Sequence, residues 1–138
     1  MKRIAAIAVI GGLLAAGSAW AAQVTNVEIS YQDGFTVARI DVQGAVRFSH
    51  QTEVPKDGRP DRMIVDLLAA THALGAKEFL ALPPCIITGI RSSQFAVSPE
   101  KITRIVFDLS AAPVFRVESD DKSVSVYFSE KEPRSFLA

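Results

Sequence analysis

Arg91 and Gln94 stand three residues apart in the stretch Ile87-Thr88-Gly89-Ile90-Arg91-Ser92-Ser93-Gln94-Phe95. A guanidinium holds a carboxylate through two parallel hydrogen bonds. A side-chain amide donates and accepts at once, which suits an N-acetyl group. Ser93 adds a hydroxyl between them. Arg104 and Arg39 fall at outward positions of two other strand-like runs and could widen a polar groove. Tyr31, Phe95 and Tyr127 are the rings that could stack on a sugar face; Tyr127 is outward, whereas core packing is the favoured expectation for Phe95 and Tyr31. Together Arg91, Gln94, Ser93, Arg104, Arg39 and Tyr127 suit a ligand rich in carboxylates, amides and hydroxyls. An isolated arginine on a strand face is ordinarily solvated and weakly paired, so the elements that collect these residues decide what they do.

Those elements read as strands. In Val27-Glu28-Ile29-Ser30-Tyr31 apolar and polar residues alternate, the pattern of a half-buried strand. Gln32-Asp33-Gly34 is turn chemistry. The next run, 35–42, places Ala38, Ile40 and Val42 inward and Val37, Arg39 and Asp41 outward. Residues 45–52 predict a third strand, with Val46 and Phe48 inward. After the loop at residues 55–60, the run 62–67 turns Met63, Val65 and Leu67 to one face. Arg62 and Asp66 share the other face and are expected to pair. Residues 69–82 are irregular and read as a crossover that could hold a helical turn or a short strand, ended by Pro83-Pro84.

The chain then starts over. Ile87-Thr88-Gly89-Ile90 echoes Val24-Thr25-Asn26-Val27. Residues 103–109 lie 67 positions after 36–42, so that Thr103 matches Thr36, Asp108 matches Asp41 and Phe115 matches Phe48. The inward set becomes Ile105, Phe107 and Leu109, and the preserved parity predicts a duplicated β unit. Further strands are expected at 114–117 and 123–128, the latter with Val124, Val126 and Phe128 inward, joined by a tight turn at 119–122. Asp41 and Asp108 recur at strand ends, where closing a turn is their expected role. A break in parity between Gln94 and Phe95 predicts either a bulge near Ser92-Ser93 or the end of the strand there.

Composition narrows the function. Lys2 and Arg3, the apolar run 4–16 and Ala19-Trp20-Ala21 form an export signal over residues 1–21, with cleavage before Ala22. Residues 22–128 would form the domain and 129–138 a polar tail. Beyond residue 21 there are 13 Lys plus Arg against 15 Asp plus Glu, a net charge of −2. That excludes the basic excess of a general nucleic-acid binder. Cys85 is the only cysteine, so no internal disulfide forms and burial must stabilise the fold. Cys85 itself is expected as a small buried apolar group. His50 and His72 are the only histidines, with no carboxylate at ligand spacing beside either. No nucleophile elbow, phosphate loop or Cys–His arrangement appears. No metal, no cofactor and no catalytic residue are expected.

Two blocks carry a family resemblance. Pro60-Asp61-Arg62-Met63-Ile64-Val65-Asp66-Leu67 resembles the "P-x-R-hydrophobic-V-x-D-L" strand of the AMIN domain. Ile90-Arg91-Ser92-Ser93-Gln94-Phe95 followed by Thr103-Arg104-Ile105-Val106-Phe107-Asp108-Leu109 resembles its "I-R-x-x-Q-F … T-R-hydrophobic-V-x-D-L" block. The likeness spans residues 24–128. The chain departs from the family pattern at Ser92-Ser93, where an aliphatic residue and a glycine are usual. The resemblance implies an all-β, small two-sheet β-sandwich with an internal pseudo-two-fold repeat. It also implies a periplasmic, non-catalytic module of the kind found before N-acetylmuramoyl-alanine amidases and type IV pilus secretins, here standing alone. Its expected partner is peptidoglycan, whose stem peptides carry carboxylates. The alternative is an adaptor that binds an envelope protein, such as a secretin or amidase, through a sheet edge. Neither nucleic acid nor, after signal cleavage, membrane is expected as a partner.

Overall fold

The computed structural model describes residues 22–54, 57–58, 60–74 and 85–130. The expected signal, the crossover residues 75–84 and the last eight residues of the tail lie outside them. Among the described residues nine strands follow in order: β1 Ala22–Gln32, β2 Phe35–Gln43, β3 Phe48–Glu53, β4 Asp61–Leu68, β5 Ala70–His72, β6 Ile87–Ala96, β7 Ile102–Leu109, β8 Phe115–Ser119 and β9 Ser123–Ser129. Runs of alternating, β-branched-rich sequence make these strands. The β1–β2 hairpin closes on Asp33 (φ 48°) and Gly34 (φ 85°). Two successive positive φ values match the right-handed twist of the flanking strands. No atom lies within 4 Å of where a Gly34 Cβ would sit, so glycine serves conformation there rather than space.

The strands form two sheets, β5-β1-β2-β9-β8 and β3-β4-β7-β6. The duplicated unit is legible in this order. Replacing β1, β2, β3 and β4 by β6, β7, β8 and β9 converts one sheet into the other, so each half lends two strands to each sheet. The register follows. Ala38 opposes Val126 in one central pair, and Ile105 opposes Val65 in the other. Thr36 opposes Phe128, and Thr103 opposes Leu67. Even the irregularity repeats, because β1 slips between Val24 and Asn26 and β6 between Ile87 and Gly89. At both slips a threonine hydroxyl donates to the carbonyl of the facing aspartate, Thr25 to Asp41 at 3.5 Å and Thr88 to Asp108 at 3.2 Å.

The core lies between the sheets. Ala38, Ile40, Val42, Met63, Val65, Leu67, Ile105, Phe107, Leu109, Val124, Val126 and Phe128 are all buried there, as their parity predicts. Phe107 and Phe128 meet across the sandwich edge to face, with centroids 6.1 Å apart. Burying side chains of this size contributes roughly 1.5–3 kcal/mol each. The half-buried Cys85 packs against this core, as expected. Two buried threonines, equivalent in the repeat, close the ends of the sandwich. Thr103 donates to the Ala70 carbonyl at 3.1 Å, and Thr36 donates to Glu130 Oε2 at 2.6 Å.

Several expectations are corrected. The bulge in the second half of β6 falls between Gln94 and Ala96, at Phe95, and not at Ser92-Ser93; the strand continues to Ala96. Gln94 fixes that position, because its amide reaches Ala96 O at 3.1 Å and Ile102 O at 3.0 Å across the irregularity. Phe95 and Tyr31 are 52% and 45% exposed and do not lie in the core. Val37 and Ile64 have outward parity yet are buried. The fold extends past Phe128, since β9 includes Ser129 and Glu130 is buried. In the crossover the short strand, one of the two forms expected there, is present as β5 and pairs in parallel with the start of β1.

Candidate functional site

The outer face of the four-stranded sheet carries the most organised polar surface. Register places its residues in rows across the strands. Gly89, Asp108, Arg62 and Glu53 form one row. Arg91, Val106, Ile64 and Gln51 form the next, and Ser93, Arg104, Asp66 and Ser49 the third. Phe95 stands beyond, at the bulge. A shallow groove of about 430 Å3 runs here, lined by Glu53, Arg62, Ile64, Arg91, Ser92, Ser93, Phe95, Arg104 and Val106. Its floor is apolar, from Ile64 and Val106, and its walls carry three arginines.

Each arginine meets a carboxylate, on terms that differ. Arg104 grips Asp66 with Nε at 2.8 Å and Nη2 at 2.9 Å, and its guanidinium lies 3.6 Å from the Phe95 ring centroid. The hydrogen bond to Asp66 is the main reason its pKa is raised, outweighing burial, so this charge is fixed and committed. Arg62 donates from Nη2 to Glu53 at 2.7 Å, while its buried Nε has no hydrogen-bond partner. Arg91 is 58% exposed and holds Asp108 through Nη2 alone, at 2.8 Å. Arg62 and Asp66 therefore do not pair with each other. The strand order β3-β4-β7 gives each a closer partner on a neighbouring strand. Asp41 and Asp108 likewise accept from arginines instead of closing turns.

The expected site residues separate into three groups. Arg91, Ser93 and Arg104 share this groove. Arg39 and Tyr127 lie on the outer face of the other sheet, on β2 and β9, and form no groove with them. There Arg39 binds Glu28 and Asp41, and the hydrogen bond it donates to Asp41 is the main cause of its raised pKa. Arg116 covers the Tyr127 ring at 4.1 Å and the Phe35 ring at 4.8 Å. Gln94 points the other way. It accepts from the His72 backbone N–H at 2.8 Å and donates to Ala70 O at 3.1 Å, latching β5 to β6. Its amide is occupied, so Gln94 positions Phe95 and holds the two sheets together.

Sequence reasoning missed Arg62, Glu53, Ile64 and Val106 as lining residues, and favoured the core for Phe95. The alternation in β4 and β7 already put Arg62, Ile64 and Val106 outward. Only the pairing of β4 with β7 could bring them beside Arg91.

One contact invites a catalytic reading. His72 Nε2 lies 2.8 Å from Ser92 Oγ. An activated serine needs a base that a third group orients, and among the described residues no carboxylate is bonded to His72. No group of three or more His, Cys, Asp or Glu suited to a metal occurs among the described residues. The half-buried Cys85 thiol donates to Ile87 O at 3.5 Å, and burial raises its pKa. That holds it as the poorly nucleophilic thiol. Among the described residues no helix is long and apolar enough to cross a membrane. No family model matches the sequence, and no curated protein matches it.

Proposed function

We propose that this chain is a non-catalytic module of the bacterial envelope, of the AMIN type, that is exported to the periplasm and binds peptidoglycan through the outer face of its four-stranded sheet. The observation that carries the reading is the groove itself. An apolar floor bordered by arginines, with a half-exposed aromatic ring at one end, suits a polymer of acylated sugars bearing peptide carboxylates. The export-type leader and the motif resemblance at residues 60–67 and 90–109 support the same reading. A single shallow site needs only weak affinity, because repeated sites on a polymer add avidity. The test is sedimentation with purified, protein-free sacculi at low salt. Co-sedimentation is expected, with no change in the fragment profile of the wall material. Failure to sediment would reject the reading, and release of muropeptides would reject its non-catalytic part.

A second reading has one observation in its favour. β6 is a sheet edge next to the groove, and an extended segment of an envelope protein could add to it as a further strand. Capture of such a protein, together with indifference to sacculi, would favour it.

A further inference from the structure

We infer that the groove holds a two-ended ligand, with one carboxylate received by Arg91 and a flat sugar or acyl face stacked on Phe95. The inference rests on the wall-binding reading and deepens it by naming which parts of a muropeptide the face would hold.

Of the three groove arginines, Arg91 alone is presented to solvent. Its side chain is 58% exposed, against 18% for Arg62 and 25% for Arg104. Arg104 spends both Nε and Nη2 on Asp66. Arg91 spends only one N–H of Nη2, so the other Nη2 N–H, together with the Nε or the Nη1 N–H beside it, can still donate to a second carboxylate in parallel. Exposed pairs such as Arg91–Asp108 are worth little, so sharing the guanidinium costs little.

The other end is preset. The bulge fixed by Gln94 projects Phe95 from the sheet, and the Arg104 guanidinium backs the ring at 3.6 Å. The ring remains 52% exposed. A ring held by its own neighbours loses little freedom on binding. Arg91 and Phe95 are four residues apart on one strand, which sets the two ends roughly 13 Å apart. Exposed Ser93 lies between them, and Val106 and Ile64 form the strip alongside.

The acids define what is refused. Asp108, Asp66 and Glu53 sit within the same rows, one for each arginine. A single carboxylate can meet the outer edge of Arg91. A phosphate on Arg91 would set its second charge against Asp108, and a run of anions along the face would also meet Asp66. The ligand class is therefore a glycopeptide with one free carboxylate near its sugar, not a polyphosphate.

The experiment is an NMR titration of the protein with an N-acetylmuramyl peptide that carries a single free carboxylate. The free-acid form is compared with the same compound amidated at that carboxylate. The acid is expected to bind at least about tenfold more tightly, the scale of a charge-assisted hydrogen-bonded pair. Arg91→Gln should abolish that difference, and Phe95→Ala should weaken both forms by about threefold or more through lost stacking. Inorganic phosphate should leave the Arg91 side-chain resonance in place. Equal binding of acid and amide, with sacculi still sedimenting the protein, would overturn the inference and leave wall binding intact. No titration by either form and no sedimentation would remove both. Tighter binding of an acidic extended peptide than of the glycopeptide would overturn the inference in favour of strand addition. Because the acid–amide comparison is made on the unaltered protein, it does not depend on any variant folding.

Discussion

The outer faces of the two sheets occupy equivalent places in the repeat and have become different surfaces. Where the four-stranded sheet has Arg91, Arg104 and Val106, the five-stranded sheet has Glu28, Val37 and Arg39. Where it has Arg62, Ile64 and Asp66, the other has Ser123, Ser125 and Tyr127. Asp41 and Asp108 stay the same, but their surroundings do not. Asn26 donates to Asp41 Oδ2 at 3.4 Å, whereas its counterpart Gly89 has no side chain and Asp108 turns to Arg91. The inward sets Ala38, Ile40, Val42 and Ile105, Phe107, Leu109 remain apolar in both halves. Burial constrains one parity of each strand and leaves the other free, so a duplicated fold can keep one core and build its groove on one side only. On the five-stranded side the exposed cation Arg39 is engaged by Glu28 and Asp41, and Arg116 covers the aromatic pair.

The largest test of the shared core is Phe107→Ala. Phe107 is fully buried against Phe128, and its loss should cost about 3–5 kcal/mol in urea unfolding. Phe128→Ala, from the same half but the other sheet, should cost a similar amount. A much smaller loss at either would show that the two sheets do not share one core. Next in size is Gln94→Leu. It strands the His72 N–H at the sheet junction and removes one of the two side-chain donors to Ala70 O, with an expected cost of about 1–3 kcal/mol. The equivalent residue Tyr31 is 45% exposed, and Tyr31→Leu should cost clearly less. Equal costs would mean that the latch is not specific to the second half.

A smaller effect concerns pH. Asp120 accepts from the Lys122 and Ser123 backbone N–H groups and from the Ser123 hydroxyl, and the first of these is the main cause holding its pKa below the ordinary carboxylate range. Its contribution to stability is present above the unfolded-state value and is lost as pH falls through the lowered folded value. Asp120→Asn should therefore reduce stability at neutral pH and converge with the parent protein in acid. Parallel pH profiles would contradict it. Least of all, Arg91→Ala should change unfolding stability by no more than about 0.5 kcal/mol, as for an exposed strand-face pair.

Much of this was open to inspection in the residues. Alternation in 35–42, 62–67, 103–109 and 123–128 identified four central strands and their buried faces. The fixed offset of 67 between Thr36 and Thr103 pointed to the repeat. What stayed hidden depended on pairing across long separations. Ala70 and His72, which Gln94 binds, lie 24 and 22 residues before it. Local parity could signal an irregularity near Phe95 but could not locate it. Arg62 and Asp66 looked like partners because they share a face. Their actual partners, Glu53 and Arg104, are set by the order β3-β4-β7. Arg39 and Arg104 group together in sequence because the repeat makes their strands alike. The same repeat carries those strands to opposite sides of the sandwich.

The most direct test of binding through one face compares Arg91→Ala with Arg39→Ala in sedimentation with sacculi, both variants first checked for unchanged melting. Wall binding by the four-stranded sheet requires that Arg91→Ala lose most of the sedimented protein while Arg39→Ala sediments like the parent. Equal losses, or a loss confined to Arg39→Ala, would contradict it.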